Sequence, residues 1–204
     1  MEFEKFKFNL WDVVTMIPIF ICAFIVNNSL LSFGFILMGI VGFIHHIFVN
    51  TYRILILDTM SIAIMSIFCT IVLKIPSFIK DIIYFMECSV LLFLLFCFIT
   101  DIRYPNRLLL IIMSLIWLPL LIFSVKYLSH ASGFIALITV FLYTSSITVC
   151  GENAFIKFSW PLMHITFAIF AFLVLYELEL IRPEIYQPIE STLEYITDMK
   201  NRIK

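Results

Sequence analysis

Gly42-Phe43-Ile44-His45-His46-Ile47-Phe48-Val49-Asn50-Thr51-Tyr52-Arg53-Ile54-Leu55-Ile56-Leu57-Asp58-Thr59-Met60-Ser61 is the stretch on which the reading of the chain turns. Two histidines close one apolar run, the polar break Asn50 to Arg53 follows, and Asp58 sits just inside the next run. An apolar run that stops at a short polar break and resumes at once describes a chain that crosses a membrane and turns back. Ionisable side chains in hydrocarbon are costly and seldom lack a task. The stretch that betrays the fold therefore also points to where function is to be sought.

The composition agrees. With 204 residues, 63% hydrophobic and 13% charged, and a strongly positive mean hydropathy, the chain has more apolar surface than one soluble core could hide. A formal net charge of -1 argues against a nucleic-acid partner, and no polybasic run beside an apolar segment suggests docking on anionic lipid. Cys22, Cys69, Cys88, Cys97 and Cys150 fall almost wholly within apolar runs without Cys-x-x-Cys spacing. They read as small packing residues, not as a disulfide framework. The N-terminal Met1 to Asn9 mixes acids with bases and leads into a run without a cleavage signature, so that run is expected to be a retained helix.

A span needs about 20 mostly apolar residues, and the runs fall near 10–27, 29–49, 54–73, 82–100, 108–127, 131–150 and 155–177. The expected fold is an all-α membrane protein: a bundle of seven transmembrane helices over residues 1–178, with a short amphipathic, polar C-terminal tail over 179–204. The breaks at Lys126 to His130 and Gly151 to Asn153 are weak, and a five- or six-span count is the competing reading. Pro18, Pro119 and Pro161 are expected to kink or loosen their spans. In the tail, Ile189, Leu193, Ile196 and Ile203 recur at near-helical spacing, and Ser191-Thr192-Leu193-Glu194 resembles a capping box. Lys5, Lys7, Arg53, Arg103, Arg107 and Lys157 share one face in this scheme, against Lys74, Lys80 and Lys126, which favours a cytoplasmic N-terminus; Arg182 pulls the other way.

Parity of the spans delivers His45, His46, Asp58 and His164 to one side of the membrane. Imidazole suits zinc, and a carboxylate beside it can take a proton from water, so these residues are the materials of metal-assisted hydrolysis. Consecutive histidines point about 100° apart on a helix, which favours His46 as ligand with His45 alongside. The same residues also fit a plainer arrangement, histidines at headgroup level and Asp58 bonded to a neighbouring helix. Glu87 enters from the opposite face, to pair with Lys80 or bond within the bundle, and His130 reads as an interfacial loop residue. Ser61, Ser66, Thr139, Thr144, Ser145 and Ser146 are expected to bond between helices. No G-x-S-x-G, H-E-x-x-H or phosphate-cradling glycine loop is present, which removes serine-hydrolase, zincin and nucleotide-driven readings.

His46, then Asp58 in the next span, then a last span opening Ser159-Trp160-Pro161-Leu162-Met163-His164-Ile165-Thr166, together resemble the CREST superfamily of seven-span membrane proteins. That group holds alkaline ceramidases, progestin and adiponectin receptors, GPI-remodelling hydrolases and the myomaker family, to which the pair His45-His46 is most similar. The resemblance covers spans two, three and seven. It implies zinc held by His46 and His164, and Asp58 engaging the water that zinc activates. Two positions depart from the pattern: Gly42 stands where a serine is expected, and Trp160 where a third histidine is expected. His45, Cys150 or Glu152 could replace the missing ligand. The resemblance implies a zinc-dependent hydrolase of a lipid amide or ester. The alternatives are a non-enzymatic lipid-binding or membrane-remodelling protein, and a small serpentine receptor without metal. Membrane lipid is the expected partner in the first two.

Overall fold

The structure, a computed structural model, describes residues 10–48, 52–72, 76–102, 108, 111–112, 129–148 and 154–202. Among these residues the regular elements are helices: α1 (Leu10–Val14), α2 (Ile17–Ile25), α3 (Ser29–Ile47), α4 (Tyr52–Val72), α5 (Ser77–Thr100), α6 (His130–Thr148), α7 (Ala154–Glu177) and α8 (Pro183–Arg202). Three of them, α3, α4 and α5, are long and apolar enough to cross a membrane, and shorter apolar stretches run through His130–Tyr143 and Pro161–Glu177. The expected span at 108–127 lies outside the described residues except at Leu108, Ile111 and Ile112.

Each boundary has a local cause. The first apolar run is broken between Val14 and Ile17 because Pro18 has no N–H for the Val14 carbonyl and its ring crowds that carbonyl. Met16 N–H bonds back to Val13 O at 3.2 Å instead, and Met16 O accepts from Ile19 N–H at 3.0 Å to start α2, so Thr15 and Met16 form the turn that joins the two helices. Asn28 caps α3, its Oδ1 accepting from Leu30 N–H at 3.0 Å and Leu31 N–H at 3.1 Å. α5 begins directly after Pro76, five residues before the expected 82, so Lys80 and Asp81 are helical. Lys80 makes this tolerable by carrying its Nζ to Ile71 O at 2.7 Å, as a long side chain with a charged head allows. α8 starts at Pro183, a favoured first position. The expected capping box is not used, since Ser191 lies mid-helix and donates to Pro188 O at 3.0 Å.

α5 displays the logic of the bundle. Ile83, Glu87, Val90, Leu94 and Cys97 are buried at alternating intervals of four and three, the seam of a helix packed on one neighbour. Phe78, Phe85, Leu92 and Ile99 recur every seventh residue on the other side and are 75%, 74%, 67% and 69% exposed. An outward stripe of this size suits lipid and not water.

The helices pack in the order α6, α7, then α1 and α2, then α3, α4 and α5. One core joins α2, α3, α4 and α7 through Ile19, Leu31, Phe35, Met65, Phe167 and Leu175. A second joins α4 and α5 through Ile56, Ala63, Val90 and Leu94, with Ile112 added. Close approach of α2 and α3 relies on Gly39, where a Cβ would come within 2.8 Å of the Phe20 ring.

α7 ends in a reversal. Glu179 takes a left-handed φ of 56°; its N–H bonds Tyr176 O at 3.1 Å and Leu180 N–H bonds Leu175 O at 2.8 Å. This is the Schellman pattern, with a glutamate where glycine is usual. The chain then pairs with the end of α2: Asn27 N–H to Leu180 O at 2.6 Å, Arg182 N–H to Ile25 O at 2.8 Å, and Ile181 bridged to Val26. Ile181 is buried in the first core, so the segment after Glu179 begins inside the bundle before α8 leaves it.

Candidate functional site

Three segments distant in sequence meet at one point. His46 comes from the last turn of α3, His164 from ten residues into α7, and Thr15 from the break between α1 and α2. His46 Nε2 lies 3.2 Å from His164 Nε2, with ring centroids 4.8 Å apart and planes nearly perpendicular at 73°. Thr15 Oγ1 lies 3.0 Å from His164 Nδ1. His164 and Thr15 are almost wholly enclosed, and His46 is half-buried.

This arrangement constrains the protons. With Thr15 Oγ1 accepting from His164 Nδ1–H, His164 Nε2 is left as a lone pair facing His46. Either His46 Nε2–H donates to it, or both nitrogens face a shared electrophile. A hydrogen bond to the second ring nitrogen is the usual way a ligating histidine is oriented.

His45 and Asp58 complete the surroundings. The His45 ring stands 5.3 Å from that of His46 at an angle of 55°, and its Nδ1 is buried without a hydrogen-bond partner. His45 is within electrostatic reach of His46, His164 and Asp58. Asp58 comes from the second turn of α4 and lies against the α3 backbone, where a Cβ on Gly42 would stand 3.4 Å from its Oδ1. The same Cβ would come within 2.5 Å of Met16 Cε. Gly42 thus leaves room for Met16, the residue that caps the start of α2.

The structure brings His45, His46, Asp58 and His164 into one neighbourhood, where α3, α4 and α7 approach one another. Thr15 was not among the expected site residues; the signal for it was Pro18, which frees the preceding turn. Cys150 and Glu152 lie outside the described residues, as does the side chain of Trp160. Among the described residues no three His, Cys, Asp or Glu side chains converge in a metal-holding group.

Other expected polar contacts resolve differently. Glu87 does not pair with Lys80; it accepts from Ser66 Oγ at 2.5 Å and Thr70 Oγ1 at 3.2 Å across the α4–α5 interface. Ser66 bonds between helices as expected. Ser61 and Thr139 instead donate to their own helices, at Asp58 O (2.7 Å) and Ile135 O (2.9 Å), the usual local alternative for a hydroxyl. Thr144, Ser145 and Ser146 lie outside the described side chains. His130 opens α6 with an exposed ring. Glu177, which the sequence offered only as a boundary, holds the start of α6 from α7: Oε1 accepts from Ser129 Oγ (2.5 Å) and Ser132 Oγ (2.6 Å), and Oε2 from Ser129 N–H (2.8 Å).

No family model, curated protein or solved structure matches this chain.

Proposed function

We propose that the chain is a CREST-like seven-span membrane protein with a cytoplasmic N-terminus, whose His46 and His164 hold zinc for hydrolysis of a lipid amide or ester. The single observation that carries this reading is the 3.2 Å approach of His46 Nε2 to His164 Nε2 from helices 118 residues apart. Two nitrogens on one tetrahedral zinc, each about 2.0–2.1 Å from it, lie roughly 3.3 Å apart, so the pair suits a common metal as well as a hydrogen bond. Thr15 at Nδ1 supplies the orienting bond; His45, whose Nδ1 is buried and unpartnered, would have to turn toward the pair to serve as the third ligand, since no three such side chains converge among the described residues. Cys150 is the alternative third donor.

Zinc there would supply a Lewis acid and lower the pKa of water to about 7. Asp58 would be the base that takes a proton from water held there, and the burial of His164 and Thr15 would keep bulk water out. A second reading, a non-enzymatic lipid-binding or membrane-remodelling protein of the same type, is favoured by Trp160 in place of a histidine.

The test uses the full chain purified in detergent. Zinc is expected at about one per chain and lost in His46→Ala and His164→Ala. Release of fatty acid from ceramide or phospholipid is expected from the wild type and abolished in Asp58→Ala while zinc stays. A chain without zinc overturns both readings that use it; zinc without hydrolysis selects the second.

A further inference from the structure

Glu87 occupies a position in the α5 seam where leucine would serve, near the middle of a helix long and apolar enough to cross a membrane. It is only 1% exposed. Both neighbouring hydroxyls, Ser66 and Thr70, donate to one oxygen, Oε1. The other, Oε2, is buried with no hydrogen-bond partner.

No cation faces this carboxyl among the described residues; its polar neighbours are those two hydroxyls. From α4, Cys69 is the titratable group facing it. On α5 itself Lys80 is two turns away and engaged with Ile71 O. Tyr143 packs against the cluster containing Val90, Leu94 and Cys97, further along the seam. An ionised carboxylate enclosed in this way, without a counter-charge, is strongly disfavoured. A neutral acid fits the pattern of contacts: Oε1 is the carbonyl oxygen that accepts twice, and Oε2 is the hydroxyl.

We propose that Glu87, with Ser66 and Thr70, is a proton-binding site within the bilayer, in which Oε2 is the atom that gains and loses the proton. The site is separate from the histidine cluster, since Ser66 lies eight residues, roughly 12 Å, along α4 from Asp58. It is also independent of whether zinc binds. A purely structural clamp between α4 and α5 would need only the acceptor Oε1, which glutamine also provides. Oε2 is what makes the residue an acid.

Infrared spectroscopy of the full chain in detergent tests this. The wild type is expected to show a protonated-carboxyl carbonyl band that shifts in deuterated water, falls as pH rises, and is missing in Glu87→Gln. Ser66→Ala and Thr70→Val remove donors that favour the charged form, so the pH at which the band is lost should move upward in both. A hydrophobic carbodiimide, which reacts with protonated carboxyls in apolar surroundings, should label Glu87 in the wild type. That label is mapped by peptide mass spectrometry, so the test stands even where a variant fails to fold. A wild-type minus Glu87→Gln spectrum holding only carboxylate bands, a band unaffected by pH, or carbodiimide labelling that passes over Glu87, would each overturn the proposal.

Discussion

His164 is met by residues 118 and 149 positions away, His46 and Thr15, whereas Glu87 meets Ser66 and Thr70 only 21 and 17 positions away. The histidine cluster exists only when α7 has docked on α1 and α2 and these have docked on α3. The Glu87 contacts need nothing beyond the α4–α5 pair. The first centre therefore reports completion of the fold, and the second could form in a two-helix intermediate. The two also differ in how fully their polar atoms are used: both ring nitrogens of His164 have partners, while one Glu87 oxygen has none.

The largest expected contrast comes from removing each centre's focal residue. His164→Ala should abolish zinc binding and, by opening a cavity and stranding Thr15 and His46, lower stability by roughly 2–4 kcal/mol. Glu87→Leu should leave the thermal midpoint unchanged or higher, because leucine suits the seam and the two hydroxyls can turn to their own carbonyls, as Thr59 does at Leu55 O. Equal destabilisation by the two variants in a detergent melt would erase the distinction. Next is Thr15→Val, which keeps the shape and removes the bond to His164 Nδ1. Zinc affinity should weaken by about 10–100-fold with saturation still reached at high zinc; an unchanged titration would mean that Thr15 does not orient the ring.

Smaller effects probe the borders. Glu177→Ala removes three acceptor contacts between α7 and the start of α6 and should lower stability by about 1–3 kcal/mol without changing zinc content. Gly42→Ser introduces a Cβ that meets the flexible end of Met16 and sits near Asp58. Its effect on the melt should stay within about 1 kcal/mol. A larger loss would show that Met16 cannot swing aside.

These contacts also mark how far the sequence could be read. The course of α3, α4, α6 and α7 was legible as helices because each is a long apolar run between polar breaks, and His46 and His164 stood out as ionisable residues within such runs, but the contact between their rings depends on how α3 and α7 pack. Thr15 was not legible, since Pro18 announces a break but not the direction in which the freed turn will face. The early start of α5 was hidden because Lys80 and Asp81 look like a loop until the lysine's Nζ is seen to reach Ile71 O. Glu179 was hidden for the opposite reason: a left-handed residue is usually announced by glycine, and here tertiary pairing with α2 holds a glutamate in that conformation. Ser191 to Glu194 misled because a capping motif is purely local, and Pro183 had already started the helix.

The pairing of Ile25 to Asn27 with Leu180 to Arg182 closes the path of the chain into a ring by contact. Its first and last apolar segments are fastened to each other by backbone contacts, much as consecutive helices are fastened by loops. A nick in a loop elsewhere would open the chain without opening the ring, so two halves expressed separately have a built-in seam along which to find each other.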